Sequence, residues 1–230
     1  TGGIRFELPT YPNVEEMKTH PLVAGLNFNG LSLNTGAMPK RRIMVSPRFG
    51  FNYDALGDRS LMVRGGTGVF TGRIPFVWIV AQSGDAGMLQ STVTYAAGDP
   101  NMPSFSPDIK ANYPEELPLA GTFLPSSISA MDTKLKFPST WKSSLAVDYN
   151  LPWGLVATLE GIYNKDINAV VAKNVNLVEP TAMEIAGYGD TRFIYPNSNN
   201  DKYIYKINNG QPSTTSGSAF TPTYMTNAKG

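Results

Sequence analysis

The sequence predicts an all-β fold: antiparallel, up-and-down strands forming part of a transmembrane β-barrel, with long external loops. Three observations carry that prediction. Stretches of about ten residues alternate apolar and polar side chains, the period of a strand with one greasy and one wet face. The connections between them alternate between short turns, LGDRS and NLPWG, and long segments at 10–40, 74–139 and 174–230. Charged residues make up only 16% of the chain while aromatics reach 11%, so uncharged polar and aromatic side chains stand where charges usually do.

The first strand lies near 3–8. Ile4, Phe6 and Leu8 alternate with Gly3, Arg5 and Glu7, and Pro9 and Pro12 end it. Residues 10–40 are broken by Pro21, Gly25, Gly30, Gly36 and Pro39 and read as a loop, with a short helical turn expected around Val14 to Thr19. His20, the sole histidine, has no Ser or Cys partner in a recognisable context and reads as loop surface. Lys40-Arg41-Arg42 is the one dense basic cluster. It reads as a solvated loop-to-strand junction or, at a membrane surface, a contact to headgroup phosphate.

A hairpin follows, with arms near 43–56 and 60–73. Pro47, Phe49, Phe51, Tyr53 and Ala55 fall on one face, and Ser46, Arg48, Gly50, Asn52 and Asp54 on the other. After the Gly57-Asp58 turn signal, Leu61, Val63, Thr67 and Val69 alternate with Met62, Arg64, Gly66 and Gly68. Segment 74–139 is too long for an ordinary connection. It opens with the apolar run IPFVWIV at 74–80, read as a strand extension or a buried strand. The proline density of DPNMPSFSPD, with Pro114, Pro118 and Pro125, then predicts a packed, specific loop.

The pattern returns over 140–151 and 154–171. Trp141, Leu145, Val147, Tyr149 and Leu151 alternate with Lys142, Ser144, Asp148 and Asn150. Beyond NLPWG, Leu155, Ala157, Leu159, Gly161 and Tyr163 alternate with Val156, Thr158, Glu160, Ile162 and Asn164. Segment 174–230 is studded with Tyr and Asn and gives no strand.

In an up-and-down sheet, alternate connections lie at opposite ends. All short turns therefore share one end and all long loops the other, the asymmetry of outer-membrane barrels. Ten residues at about 3.3 Å each, tilted about 45°, cover roughly the 25 Å apolar band. A charge facing lipid at mid-depth costs about 2–4 kcal/mol, so Arg48, Arg64, Lys142, Asp148 and Glu160 are expected to face a watery lumen. Tyr53, Trp141, Tyr149, Trp153 and Tyr163 fall near strand ends, where interfacial girdles belong. A soluble antiparallel sandwich also alternates, so a soluble carbohydrate-binding or adhesive surface module is the alternative.

Several motifs hold residue types that chemistry uses. Gly65-Gly66-Thr67-Gly68 lacks the GxxxxGK[ST] spacing of a phosphate loop and reads as glycines in a barrel wall. Asp99, Asp108, Glu115 and Glu116 offer oxygen ligands for calcium without an EF-hand spacing. Glu160 with Asp148 has the residue types of a glycosidase pair but reads as a lumenal charge network. No catalytic residue, metal ligand or cofactor is therefore expected, and the chain is not expected to be an enzyme. The loop aromatics Phe76, Trp78, Tyr95, Tyr188, Tyr195, Tyr203 and Tyr205, beside Asn and Asp, suit stacking on an oligosaccharide or gripping a peptide, or packing the loops internally. A net charge of +1 gives no electrostatic argument for nucleic acid. There is no cysteine, hence no disulfide framework. No apolar run approaches the 18 or so residues of a membrane-spanning helix. Both ends sit in mid-pattern, so the chain reads as a piece of a longer one.

The segments SPRFGFNYDALGDRSLMVRGGTGVFTGRIPFVWIV and FPSTWKSSLAVDYNLPWGLVATLEGIYNKDIN resemble the C-terminal barrel of TonB-dependent outer-membrane receptors. The resemblance is to the Bacteroidetes, Oar-like type with a carboxypeptidase-regulatory-like domain. It implies a barrel of about 22 strands around a plug, seated in outer-membrane lipid and importing large nutrients. It further implies energy from the TonB complex, engaged through an N-terminal part outside this chain, and in some relatives a surface lipoprotein partner. About five strands cannot close so wide a barrel. Alone, the chain is expected to hide its lipid face by oligomerising or by packing loops over it.

Overall fold

The computed structural model describes residues 1–11, 15–90, 95, 97–113, 116, 119–184, 186–187 and 191–228, the side chains of Glu184 and Thr191 aside. In chain order, β1 (Gly2–Glu7) leads through α1 (Pro21–Ala24) to the hairpin β2 (Met44–Asp54) and β3 (Leu61–Thr71). Helix α2 (Phe76–Gly84) and the short β4 (Ser129–Met131) precede a second long hairpin, β5 (Ser139–Asn150) and β6 (Val156–Asn168). Then come β7 (Val170–Asn174), β8 (Thr181–Glu184), β9 (Thr191–Ile194), α3 (Asn199–Lys202), β10 (Lys206–Asn208), β11 (Gln211–Ser213), β12 (Ser218–Ala219) and β13 (Thr223–Asn227).

The long strands form one sheet in the order β1-β2-β3-β5-β6, antiparallel throughout. It is open: β1 and β6 are its two edges, and no closed barrel forms. The register aligns the alternation from strand to strand. Phe51, Gly65, Leu145 and Gly161 make one cross-strand row, and Tyr53, Val63, Val147 and Leu159 the next. In β2, β3, β5 and β6 the odd-numbered apolar residues thus share one face and the even-numbered polar ones the other, and in β1 the parity reverses, with Ile4 and Phe6 opposite Pro47 and Val45 on the apolar face, because a period of two tolerates no slip of a single residue.

The turns are built locally. Asp54 ends β2 and its carboxylate accepts the backbone N–H groups of Gly57 and Arg59 at 2.9 and 3.0 Å. Those two residues take positive φ, 80° and 63°, so the side chain supplies the hydrogen bonds that hold Arg59 in a conformation unusual for it. Asp58 accepts from the hydroxyl and N–H of Ser60, which pull its carboxyl below the ordinary range. In the second turn Pro152 opens a single 3₁₀ turn, and Trp153 and Gly154 follow at positive φ.

The sheet buries almost nothing. Its buried residues are Ser46, Gly68, Ser139 and Ala146, all small. Phe49, Leu145 and Leu159 are 57%, 54% and 79% exposed. The loops do not pack over this apolar face, and among the described residues no second sheet covers it, as a soluble sandwich requires. The three glycines of the Gly65–Gly68 region sit in mid-strand. A Cβ on Gly65 would lie 2.8 Å from the ring of Phe51 across the strand pair and 3.0 Å from the Ser144 carbonyl, so the glycine there admits an aromatic neighbour.

The core lies in the three long connections, which pack on one another as a body at one end of the wall. Val23, Phe28 and Leu33 meet Leu124, Ile128 and Ala130 and, from the far end of the chain, Ile207 and Phe220. A second cluster joins Ile74, Met131, Leu135 and Met225. Buried amides brace it. Gln82 donates to the Ala37 carbonyl and accepts the Met131 N–H, both at 2.7 Å. Asn176 donates to the carbonyls of Tyr205 and Phe220 and accepts the Tyr205 N–H.

Four expectations are corrected in this body. The run at 74–80 leads into helix α2, which takes up Phe76 to Val80, and not into a strand. Trp78, Ile79 and Gln82 turn inward while Phe76, Val77 and Val80 face out, a helical spacing that an unbroken apolar run conceals. The stretch after 174 carries strands: β10 pairs with β11 and β12, and β13 with β7 and β4. The β13–β4 pair is parallel, so the body departs from the up-and-down rule of the wall. His20 is fully buried rather than on the loop surface. It caps α1, its Nδ1 accepting the Leu22 N–H at 3.2 Å while Nε2 donates to the Phe123 carbonyl at 3.0 Å. Of the helical turn expected around Val14 to Thr19, Val14 lies outside the described residues and only a turn at 15–16 follows.

Candidate functional site

The polar face of the wall carries all five charged residues picked out from parity. Arg64 pairs with Asp148, its Nε donating to Oδ2 at 2.9 Å, and the hydroxyl of Thr158 donates to the same carboxylate at 2.7 Å. Glu160 stands opposite Ala146 on the next strand. Asp148 is thus tied into a charge network with a cation and a hydroxyl.

Toward the loop end of this face the charges change character. Arg48 stacks over the ring of Phe70 with its guanidinium carbon 4.4 Å from the centroid, and Lys142 approaches the same ring to 5.9 Å. Two cations near one aromatic ring gain from its negative quadrupole. Among the described residues neither joins an ion pair. The face therefore carries an ion pair near the short turns and, nearer the body, two cations beside one ring, with Asp166 in the same cross-strand row as Phe70.

On this side of the wall, where the polar-face ends of β1 and β2 meet the body, a cavity of about 630 Å³ opens. Glu7 and Met44, cross-strand partners, form its floor with Arg73. Tyr11, Met17, Met38, Ile74, Phe76 and Phe137 are among its walls. The hydroxyl of Tyr11 is buried with no hydrogen-bond partner among the described residues, and burial raises its pKa. A buried hydroxyl left without a partner is costly, and an acceptor atom on a ligand would relieve it. Three methionines beside it supply a surface that re-packs around different apolar shapes. Chemically, the cavity suits an apolar group that carries a hydrogen-bond acceptor.

The loop aromatics do not converge. Phe76 is 77% exposed and lines the cavity. Trp78 is half-buried against the second core cluster. Tyr95 and Tyr195 are exposed on separate stretches, and Tyr188 lies outside the described residues. Tyr203 is buried, bridging to Leu177. The hydroxyl of Tyr205 donates to the Asn27 carbonyl and accepts the Asn27 N–H, and its ring meets Phe28 edge-on at 5.4 Å. These last two brace the body. Asp99 and Asp108 accept N–H groups from two residues on in their own loop, as turn-forming aspartates do, while Glu115 lies outside the described residues. Tyr11, Met17 and Met38 went unnoticed in the sequence because nothing in their spacing brings them together.

On the apolar face the aromatics form two bands. Trp141 packs edge-on against Tyr163 at 5.8 Å near the body, and Tyr53 and Tyr149 stand near the short turns. From Trp141 to Tyr149 is about 26 Å along the strand at 3.3 Å per residue, which a tilt of about 45° turns into a height of about 19 Å, within the roughly 25 Å apolar band of an outer-membrane barrel. No helix among the described residues is long and apolar enough to cross a membrane, which says nothing of strands. A family model described as outer membrane beta barrel domain matches residues 1–226. No curated protein and no solved structure matches the chain.

Proposed function

We propose, for a chain that belongs to the outer membrane beta-barrel domain family, that it is part of a TonB-dependent receptor that imports a nutrient. The protein sits in the outer membrane, with the apolar face of the wall toward lipid and the polar face toward the lumen. The observation that carries the reading is the cavity where the polar face meets the packed loop body. A ligand captured there is on the same polar side of the wall as Arg48, Phe70 and Lys142. The resemblance of 43–80 and 137–177 to such receptors supports the same reading. Of the two ligand classes expected, the methionine-lined cavity with its unpartnered Tyr11 hydroxyl favours a peptide bearing an apolar side chain over an oligosaccharide. On this reading the chain has no catalytic chemistry of its own, energy comes from the TonB complex, and a surface lipoprotein is a natural partner for the loop body.

The test is a strain lacking the gene, supplied in turn with defined peptides and oligosaccharides as sole nutrient. The expected result is loss of uptake for a peptide class, restored by the gene and abolished by a protonophore. Unchanged uptake across both panels, or uptake insensitive to the protonophore, would overturn the proposal. Restored oligosaccharide uptake alone would overturn the peptide assignment.

A further inference from the structure

A second recess lies on the opposite, apolar side of the wall, again at the loop end. It encloses about 380 Å³. Its floor includes Val45, Val69 and Ile167, and Lys40, Arg42 and Lys136 also line it. No Asp or Glu lines it, and none of the three cations joins an ion pair among the described residues. The segments that carry them come from different connections and are fastened together. The N–H of Lys40 donates to the Thr133 carbonyl at 2.9 Å. Asn227 clamps Lys136, accepting its N–H at 2.7 Å and donating to its carbonyl at 2.9 Å.

The recess continues into a second depression of about 410 Å³ that shares Val69 and Ile167 and adds Ile4, Pro47, Phe49 and Trp141. That slot exists because Thr67 and Val69 are small where Phe49 and Trp141 flank them. Cations therefore stand over an apolar channel that runs down the face of the wall. Their level is set by Trp141 and Tyr163, aromatics of the type that marks the membrane–water interface. An anionic headgroup joined to hydrocarbon chains has the complementary form: charge above, chain below. A soluble anion would leave the slot empty, and an uncharged lipid would leave three cations crowded without a counter-charge.

We propose that this recess binds a phosphate-bearing membrane lipid, its phosphate held by Lys40, Arg42 and Lys136 and an acyl chain lying along Val69, Ile167 and Phe49. The proposal rests on the apolar face meeting lipid and is independent of what the receptor transports. The full chain in mild detergent is titrated with dioleoyl phosphatidate, and one-to-one adducts are followed by native mass spectrometry. Dioleoylglycerol, with the same chains and no phosphate, and glycerol phosphate, with no chains, are the comparison probes.

The variant K40Q/R42Q/K136Q should bind phosphatidate about a hundredfold more weakly, as loss of three cations at a membrane surface implies. A control losing the same charge elsewhere, K18Q/K110Q/K202Q, should bind like the parent. Equal binding of dioleoylglycerol would overturn the proposal, as would equal weakening in the control. Displacement of phosphatidate by glycerol phosphate at equal concentration would reassign the recess to a soluble phosphate.

Discussion

The wall and the loop body invert each other. The wall has long strands, a register that shifts only at Ser139–Thr140 at the loop end of β5 and β6, and no core, with its largest apolar side chains turned outward. The body has strands of two to five residues, several short sheets and an interior built around Phe28 and Phe220, which are 2% and 0% exposed. Burial drives folding in water, so the body holds together as soluble domains do. The wall must draw its stability from backbone pairing and from lipid. In a bilayer every strand hydrogen bond has to be made within the sheet, and the register of β2, β3 and β5 meets that demand. The difference teaches that one chain uses two solvents, and both proposed binding places, the cavity below the body and the cationic recess on the apolar face, lie at their seam.

The sharpest way to break the comparison is to damage each region by its own rule. Phe28→Ala opens the centre of the body, where the ring meets Tyr205 and Phe220. It should cost about 3–5 kcal/mol. Limited proteolysis should then cut the long connections early while amide exchange in β2, β3, β5 and β6 stays slow. If exchange in those strands rises equally, wall and body are one cooperative unit. Next in size is Leu145→Arg, at mid-strand on the apolar face. Refolding into phosphatidylcholine vesicles should lose about 2–4 kcal/mol, while Ser144→Arg, one residue away on the polar face, should lose little. Equal losses would mean that the two faces do not meet different solvents.

The regions also differ in how far the sequence discloses them. The wall is legible because its signal is local: alternation, a Gly-Asp turn, and a parity that puts Arg48, Arg64, Lys142, Asp148 and Glu160 on one face, as the register does. The body is not, because its contacts are distant. Val23 meets Phe220, and His20 finds its acceptor 103 residues away at Phe123. Strands as short as Ser218–Ala219 cannot express a period. The run Phe76–Val80 fits a buried helix or a strand equally until its neighbours are known. The candidate site divides the same way. The charged polar face of the wall is readable, whereas the cavity, its floor of Glu7, Met44 and Arg73 included, draws on residues from Glu7 to Phe137 that no spacing connects.

Glycine distinguishes packing from propensity within the wall itself. Gly65 and Gly161 flank Leu145 in one cross-strand row. A Cβ on Gly65 collides with Phe51 and the Ser144 carbonyl, whereas one on Gly161 meets nothing within 4 Å. Gly65→Ala should cost about 1–3 kcal/mol through overpacking. Gly161→Ala should be neutral or stabilising by about 0.4–1 kcal/mol, since it only restricts the unfolded chain. Urea titration of vesicle-refolded protein measures both. Equal effects would show that the ring of Phe51 moves aside freely.

The smallest expected effect belongs to the body and depends on pH. Burial holds His20 below its ordinary range, and the bond to the Phe123 carbonyl only partly opposes that. The neutral ring with its proton on Nε2 satisfies both partners, whereas a protonated ring cannot accept the Leu22 N–H. The unfolded chain takes up the proton near pH 6.5, and the folded chain only at lower pH. Between those two values the unfolded state binds more protons, so stability falls as the pH drops and levels off above about 6.5. His20 is the sole histidine, so the difference between the parent and His20→Asn isolates this group from the titrating carboxylates. Asparagine can still cap α1. The urea midpoint for exposure of the body should therefore fall from pH 7 to pH 5 more steeply in the parent than in His20→Asn. Parallel curves would mean that the imidazole reaches water in the folded state, and that the body is looser around α1 than the wall is anywhere along β3.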